Sequence, residues 1–358
     1  PLPDTSDEAE LGKRPLCGLR VVEVSTVAAA PSAARCLADA GATVIKVEEP
    51  SGDIMRQLFI QMDGPPTKAK SHGSMFEGLN FSKSSIQLDL KREEGRATLM
   101  GILNGADVLI TNVRPAPLQR MGLDFSTLSQ RFPSLIYAHL TAWGLSGEHK
   151  DNAGYDFGAF WAASGLAHHF HAGRSWRTML YPGSFGDLCT GQTLVTGICM
   201  ALIERQRNGG RGMLVDTCLL RVGMYCCAGE IIRGNDDEGA GGRGGDHDID
   251  DEACICLPTA DGGPQLLLTP PLDASSGAPV RFSRDHRDTV CKALGLAPGA
   301  PFAELRRAAL SRPSAEVIRK LRASSLCVSQ LQTQLDAVAR PDPRHGLDFE
   351  PSTPWARP

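Results

Sequence analysis

A chain of 358 residues with 42% hydrophobic content is long enough for about two domains with buried cores. Its formal net charge of −4 excludes a globally basic surface of the kind that draws a protein to nucleic acid or anionic membrane, while leaving room for a local basic pocket. No uninterrupted apolar run approaches the roughly 20 residues that cross a bilayer, and the eleven cysteines, odd in number and scattered through apolar stretches, fit reduced thiols. The polar, acidic start PLPDTSDEAELGKRP reads as neither a secretory signal nor an Arg-rich transit peptide. The expected location is therefore intracellular, in cytoplasm or an organellar matrix.

In chain order, LRVVEVST (19–26) is a β-branched run ending in small residues. PSAARCLADAGA (31–42) has helical spacing with Gly41 as its stop, and TVIKVEEP (43–50) is a second strand closed by proline. Strand, helix and strand within about 30 residues predict a βαβ unit and hence a parallel sheet. SIQLDL (85–90), DVLITNV (107–113) and LIYAHLTAW (135–143) continue as strands, with a helix over REEGRATLMGILNGA (92–106). The alternation predicts an open, mostly parallel, Rossmann-like α/β sheet. TGQTLVTGICMALIERQ (190–206) and VDTCLLRVGMYCCAGEIIR (215–233) read as two long buried helices. GNDDEGAGGRGGD (234–246) breaks the pattern, as a linker or a loop over a site. A strand pair around ADGG (260–263), a helix at DHRDTVCKALG and another at PSAEVIRKLRA (313–323), with Pro313 at its start, predict a smaller α+β domain. The expected organisation is a large domain over 1–205, a linking helix over 206–235, a small domain over 236–325 and an extended, proline-rich tail over 326–358.

Motifs of several common chemistries are missing. The first βα junction, STVAAAPS, lacks GxGxxG spacing, and there is no GxSxG elbow and no Walker lysine. HHFH (168–171) and DHDID (246–250) hold candidate metal ligands at unconvincing spacing, so no metal is expected. Arg114 and Arg120 follow a predicted strand, at the ligand-facing edge of a parallel sheet, where guanidinium forks suit phosphates and solvation is the plainer alternative. Lys83 and Lys91 flank SIQLDL as expected solvated lysines. Asp187, in GSFGDLCTG, has no basic neighbour in sequence and precedes a helix. It is either a cap of that helix or a carboxylate kept ionised by the helix start, and spacing alone favours the cap.

Taken together, LCGLRVVEVSTVAAAP, GATVIKVEEPSGDIMR, NFSKSSIQLDLKREEGR, DVLITNVRPAPLQRMGLD, PSLIYAHLTAWGLSG, AGYDFGAFWAASGL, GSFGDLCTG and RNGGRGMLVDTCLL make the chain resemble the class III coenzyme A transferases, the family of formyl-CoA transferase, carnitine CoA-transferase and α-methylacyl-CoA racemase. The motifs run in family order over about Leu16 to Leu220, and TADGG and VCKALGL resemble its small domain. The resemblance implies the family fold and a CoA transfer with Asp187, of the GD motif, as nucleophile, which reverses the preference for a cap. It implies no prosthetic group, acyl-CoA and a carboxylic acid as substrates, and an interlocked homodimer. It places CoA against Ala28, Ala29, Leu88, Asp89, Leu90, Lys91, Asn112, Val113, Arg114, Arg120, Thr141, Ala142, Trp143 and Gly144. Glu49 and Thr141 stand where some members carry an arginine and a lysine. The racemases' histidine corresponds to Tyr155, a poor base at neutral pH. Asp156 is then expected at the acyl pocket and Tyr155 either there or simply packed, with Phe157, Phe160 and Trp161 suggesting an apolar wall and Arg174 and Arg177 either partners for a second carboxylate or surface charge. Gly241, Gly242 and Gly244 match a glycine loop that closes over the aspartate. An epimerase using Asp156 and Asp187, and a CoA-binding protein without catalysis, are the alternatives.

Overall fold

The computed structural model describes residues 14–56, 73–167, 184–229, 231–232, 255–257, 259–260, 266–269, 284–324 and 327–330. The described residues up to Ile232 belong to one compact unit and those from Ile255 onward to a second.

In the first unit, β1 (Arg20–Val24), β2 (Thr43–Glu48), β3 (Ser84–Gln87), β4 (Val108–Thr111), β5 (Ile136–Thr141) and β6 (Leu214–Cys218) form an all-parallel sheet in the order β3-β2-β1-β4-β5-β6. Its helices are α1 (Ala29–Asp39), α2 (Ser74–Asn80), α3 (Glu93–Leu103), α4 (Pro115–Met121), α5 (Phe125–Arg131), α6 (Phe185–Arg207) and α7 (Leu219–Cys226). A π-helical segment spans Asp156–Ala162. Every residue of β4 and β5 is buried, as in strands covered on both faces. Alternation divides the core in two. Val21, Val44, Val108, Ile110, Ala138 and Leu140 pack with Ala33, Leu37, Leu194 and Ile198 of α1 and α6. Val22, Val24, Val47, Leu109 and Tyr137 pack with Leu99, Leu103, Leu118 and Leu128 of α3, α4 and α5.

The strand order turns around between β1 and β4. Loops leaving those strands diverge there, which opens a crevice at the carboxyl edge of the sheet. The 23 residues of α6 would by length and composition suit a membrane span, but the helix packs against α1, β5 and β6. Close approach of α1 and α6 depends on Gly191, where a Cβ would overlap Ser32 Oγ.

The segment expected as one helix over 215–233 instead begins as β6 and turns helical only at Leu219. Five residues are too few for periodicity to separate strand from helix, and Val215 and Thr217 supply the β-branched pattern. α6 starts at Phe185, five residues before the expected 190.

In the second unit, β7 (Ile255–Leu257), β8 (Leu266–Thr269) and β9 (Cys327–Gln330) make an antiparallel sheet with β8 central. Helices α8 (Arg284–Ala293), α9 (Phe302–Leu310) and α10 (Ser314–Ala323) bury Val290, Leu294, Leu305, Val317 and Leu321 with Leu257. The strand pair flanks ADGG as predicted, and Pro313 is the N-cap of α10.

Candidate active site

A crevice of about 850 Å³ lies along the carboxyl edge of the parallel sheet. Its walls are the loops after β1 (Ser25–Ala29), β2 (Glu48–Ser51), β3 (Leu88–Lys91), β4 (Asn112–Arg114, with Pro117 and Arg120) and β5 (Thr141–Ala142), together with Lys150, Asn152–Tyr155, Asp187 and Leu219.

The loop after β1 is conformationally costly. Val27 has φ 69, in the left-handed region that a β-branched side chain rarely enters. Two side chains impose it. Asn112 accepts from Thr26 N–H at 3.1 Å and donates to Thr26 O at 2.7 Å, and Asp53 Oδ1 accepts from Val27 N–H at 3.3 Å. Asp53 is itself anchored in a buried ionic chain. Lys46 Nζ lies 2.9 Å from Asp53 Oδ2, 2.8 Å from Glu23 Oε1 and 3.0 Å from Ser25 O. Lys83 Nζ reaches Glu23 Oε2 at 2.7 Å, Pro31 O at 2.8 Å and Asn80 Oδ1 at 3.0 Å. Burial alone would raise the Glu23 carboxyl, but the two ammoniums hold it below the usual carboxylate range. Lys83, expected as a solvated lysine, is thus a buried ion, 2% exposed, while Lys91 is exposed at the crevice rim. A strand covered on both faces leaves no solvent outlet for Glu23, so it recruits cations from β2 and the start of β3.

Asp187 is the third residue of α6, and the N-cap is Ser184, at φ 65. The carboxylate is therefore in the first turn and is not the cap. It is 8% exposed, and among the described residues no Lys or Arg is paired with it. Its neighbour is another acid: Asp156 Oδ1, at the start of the π-helical segment, accepts from Asp187 N–H at 3.1 Å. Gly186 permits the approach, since a Cβ there would overlap Asp156 Oδ1 and the Phe160 ring. Burial, and then the like charge of Asp156, push Asp187 up to about 7, against a downward pull from the Ser184 side chain. Asp156 is also raised, by burial, with the amides of Asp187 and Gly186 and the Trp161 indole opposing. The product is a desolvated carboxylate that ionises near neutrality, is clamped by no cation among the described residues and opens on a crevice also lined by Lys91, Arg114, Arg120 and Lys150.

The crevice gathers Ala28, Ala29, Leu88, Asp89, Leu90, Lys91, Asn112, Val113, Arg114, Arg120, Thr141, Ala142, Tyr155 and Asp187. Trp143 and Gly144 stand outside its lining. Trp143 tilts onto the His149 ring with its Nε1–H donating to Ala153 O at 3.3 Å, and Gly144 is a turn residue whose N–H donates to Thr141 Oγ1 at 2.9 Å. Asp156 acts from behind Asp187. Phe160 and Trp161, expected on an apolar wall, are buried in the core, and only Phe157 is exposed. Gly241, Gly242, Gly244, Arg174, Arg177, HHFH and DHDID lie outside the described residues, among which no cluster of His, Cys, Asp and Glu is placed to hold a metal. Lys150 and Asn152 were missed, because isolated loop residues carry no periodic signal. The Glu23–Lys46–Asp53–Lys83 chain had one: charges inside the β-branched runs VVEV and VIKV.

A family model described as CoA-transferase family III matches residues 16–349. Cinnamoyl-CoA:phenyllactate CoA-transferase of Clostridium sporogenes is 35% identical over 208 residues, 58% of this chain and 50% of that protein. (R)-2-hydroxy-4-methylpentanoate CoA-transferase of Clostridioides difficile is 31% identical over 208 residues, 58% of this chain and 51% of that protein. The chain thus spans about half the length of these curated relatives. Among solved structures, a CAIB/BAIF family protein from Brucella suis superposes with a TM-score of 0.72 at 25% identity, covering 92% of this chain and 87% of that one.

Proposed function

The chain belongs to CoA-transferase family III, and from that premise we propose that it moves CoA from an acyl-CoA to a free carboxylic acid through covalent intermediates on Asp187. The observation that carries this reading is the Asp187 carboxylate itself, buried, free of any described cation and facing the crevice. Its oxygen attacks the thioester carbonyl, the C–S bond breaks, and CoA thiolate leaves a mixed anhydride. The thiolate then attacks the aspartyl carbonyl and expels the donor acid, which leaves an aspartyl thioester. The acceptor carboxylate attacks that thioester to form a second anhydride and free the thiolate again. Attack of the thiolate on the acceptor carbonyl gives the new acyl-CoA and restores Asp187.

Epimerisation is the less favoured chemistry, because it needs two bases reaching opposite sides of one carbon, and Asp156 does not line the crevice. A homodimer belongs to the same proposal. Leu188, Met200 and Ile203 of α6 and Met224 and Tyr225 of α7 are exposed apolar side chains, of the kind a second copy would cover. So does an intracellular location, in keeping with eleven cysteines scattered through apolar stretches.

Intact-mass spectrometry after incubation with a panel of acyl-CoAs tests the mechanism. Acyl or CoA adducts that map to Asp187 and are lost on hydroxylamine treatment are expected. An unmodified chain across the panel rejects it.

A further inference from the structure

Strand β2 ends in two carboxylates with different surroundings. Glu48 is fully engaged: Arg56 donates to its two oxygens at 2.7 and 2.6 Å, and Asp53 N–H donates to it at 2.9 Å. Glu49 is exposed, lines the crevice, and forms no ion pair among the described residues. The other crevice loops supply its cations. Lys91 follows β3, Arg114 and Arg120 follow β4, and Lys150 comes from the segment after β5. Asp89 also lines the crevice but is paired with Arg92 at 3.4 Å, so apart from Asp187 the lining carboxylate that faces these cations without a described ion pair is Glu49, at the end of β2.

In parallel nucleotide-binding sheets a carboxylate at this position accepts from a ribose hydroxyl, whereas a guanidinium there suits a phosphate on the ribose. An acyl-CoA carries two phosphoryl groups in its diphosphate linker and a third on the ribose 3′ oxygen. The cationic wall matches the diphosphate. A ribose phosphate held at the end of β2 meets the charge of Glu49.

We propose that Glu49 is a specificity-determining residue of this site: it accepts from a ribose hydroxyl and disfavours the 3′-phosphate, so the chain binds 3′-dephospho-CoA at least as tightly as CoA. The inference rests on the acyl-CoA reading of the crevice but not on turnover, so equilibrium binding tests it. Calorimetric titration of the full chain with CoA and with 3′-dephospho-CoA is expected to give equal or tighter binding of the latter. Glu49→Gln is expected to tighten CoA about fivefold, as suits one removed like charge in a watery site, and to change dephospho-CoA by less than twofold. The shift in ratio is expected to shrink between 50 and 300 mM salt, on the order of the screening between exposed charges. A wild-type preference for CoA beyond measurement error, or an unchanged ratio in Glu49→Gln, overturns the inference and leaves the transferase reading intact. Failure of the folded chain to bind either nucleotide overturns both.

Discussion

The backbone N–H of Asp187 donates to Oδ1 of Asp156 at 3.1 Å, so the main chain of one buried acid is held by the side chain of another. A single contact thus ties the first turn of α6 to the π-helical segment and sets a like charge beside the proposed nucleophile. The consequence is a carboxylate that is part protonated at neutral pH and, once ionised, more basic than an ordinary one.

That relationship predicts a pH profile. Single-turnover acyl transfer is expected to rise with pH through an apparent value near 7, following ionisation of Asp187. Asp156→Asn keeps the acceptor oxygen and removes the charge. The apparent value is expected to fall, so that the variant outpaces the wild type at pH 5.5 relative to their plateaus. A profile identical to the wild type's removes Asp156 from any role in tuning.

The same burial makes Asp187 a stability liability at high pH. Its folded value, about 7, lies above the model carboxyl value of 3.8, so the native state binds the proton more tightly than the unfolded chain does. Its contribution to stability is complete below about pH 4 and is lost as pH rises through 7. Asp187→Asn is therefore expected to be more stable than the wild type at pH 8, by on the order of 4 kcal/mol, and nearly equal to it at pH 4. Urea denaturation at the two pH values measures this, and an equal gain at both refutes it.

Gly186 is where geometry allows least freedom. A methyl group there meets both Asp156 Oδ1 and the Phe160 ring, and Phe160 is fixed in the core beside Trp161 and Phe185. Gly186→Ala is expected to lower stability by about 1–3 kcal/mol and to reduce adduct formation at Asp187 at least tenfold, by prising α6 from the π-helical segment. Wild-type adduct yield in a folded Gly186→Ala protein counts against this account.

Much of the scaffold could be read from the residues, because β-branched runs alternating with helical stretches specify a parallel sheet whatever the details. The crevice position followed from strand ends alone. What escaped was set by contacts distant in sequence. Leu214–Cys218 became a sixth strand because β5 offered it an edge, and no five-residue window carries that information. Phe160 and Trp161 looked like pocket residues by their aromatic character, yet the π-helical geometry turns both into the core. Lys83 looked solvated because its partner, Glu23, lies 60 positions away. Asp187 was legible as a candidate from its motif, and it does line the crevice, but its closeness to Asp156 came only from the packing of α6.

The buried chain of Glu23, Lys46, Asp53 and Lys83 ties that core to the crevice floor. Glu23 is fully buried and serves two ammoniums, and it also accepts from Ser25 Oγ at 2.7 Å. Glu23→Gln leaves Lys83 without its carboxylate and Lys46 with Asp53 alone, and is expected to cost about 3–5 kcal/mol at pH 7. Because Glu23 is held below its ordinary value of 4.5, its stabilisation is present above that pH and is lost as pH falls. The gap between variant and wild type is therefore expected to narrow on acidification toward pH 3. The loop that Lys46 and Asp53 brace contains the strained Val27, so CoA affinity is expected to drop in the variant even where the chain stays folded. Denaturation midpoints at pH 7 and 3, with CoA titration at pH 7, separate the two effects. A variant with wild-type stability would mean that the ionic chain organises the floor without holding the fold together.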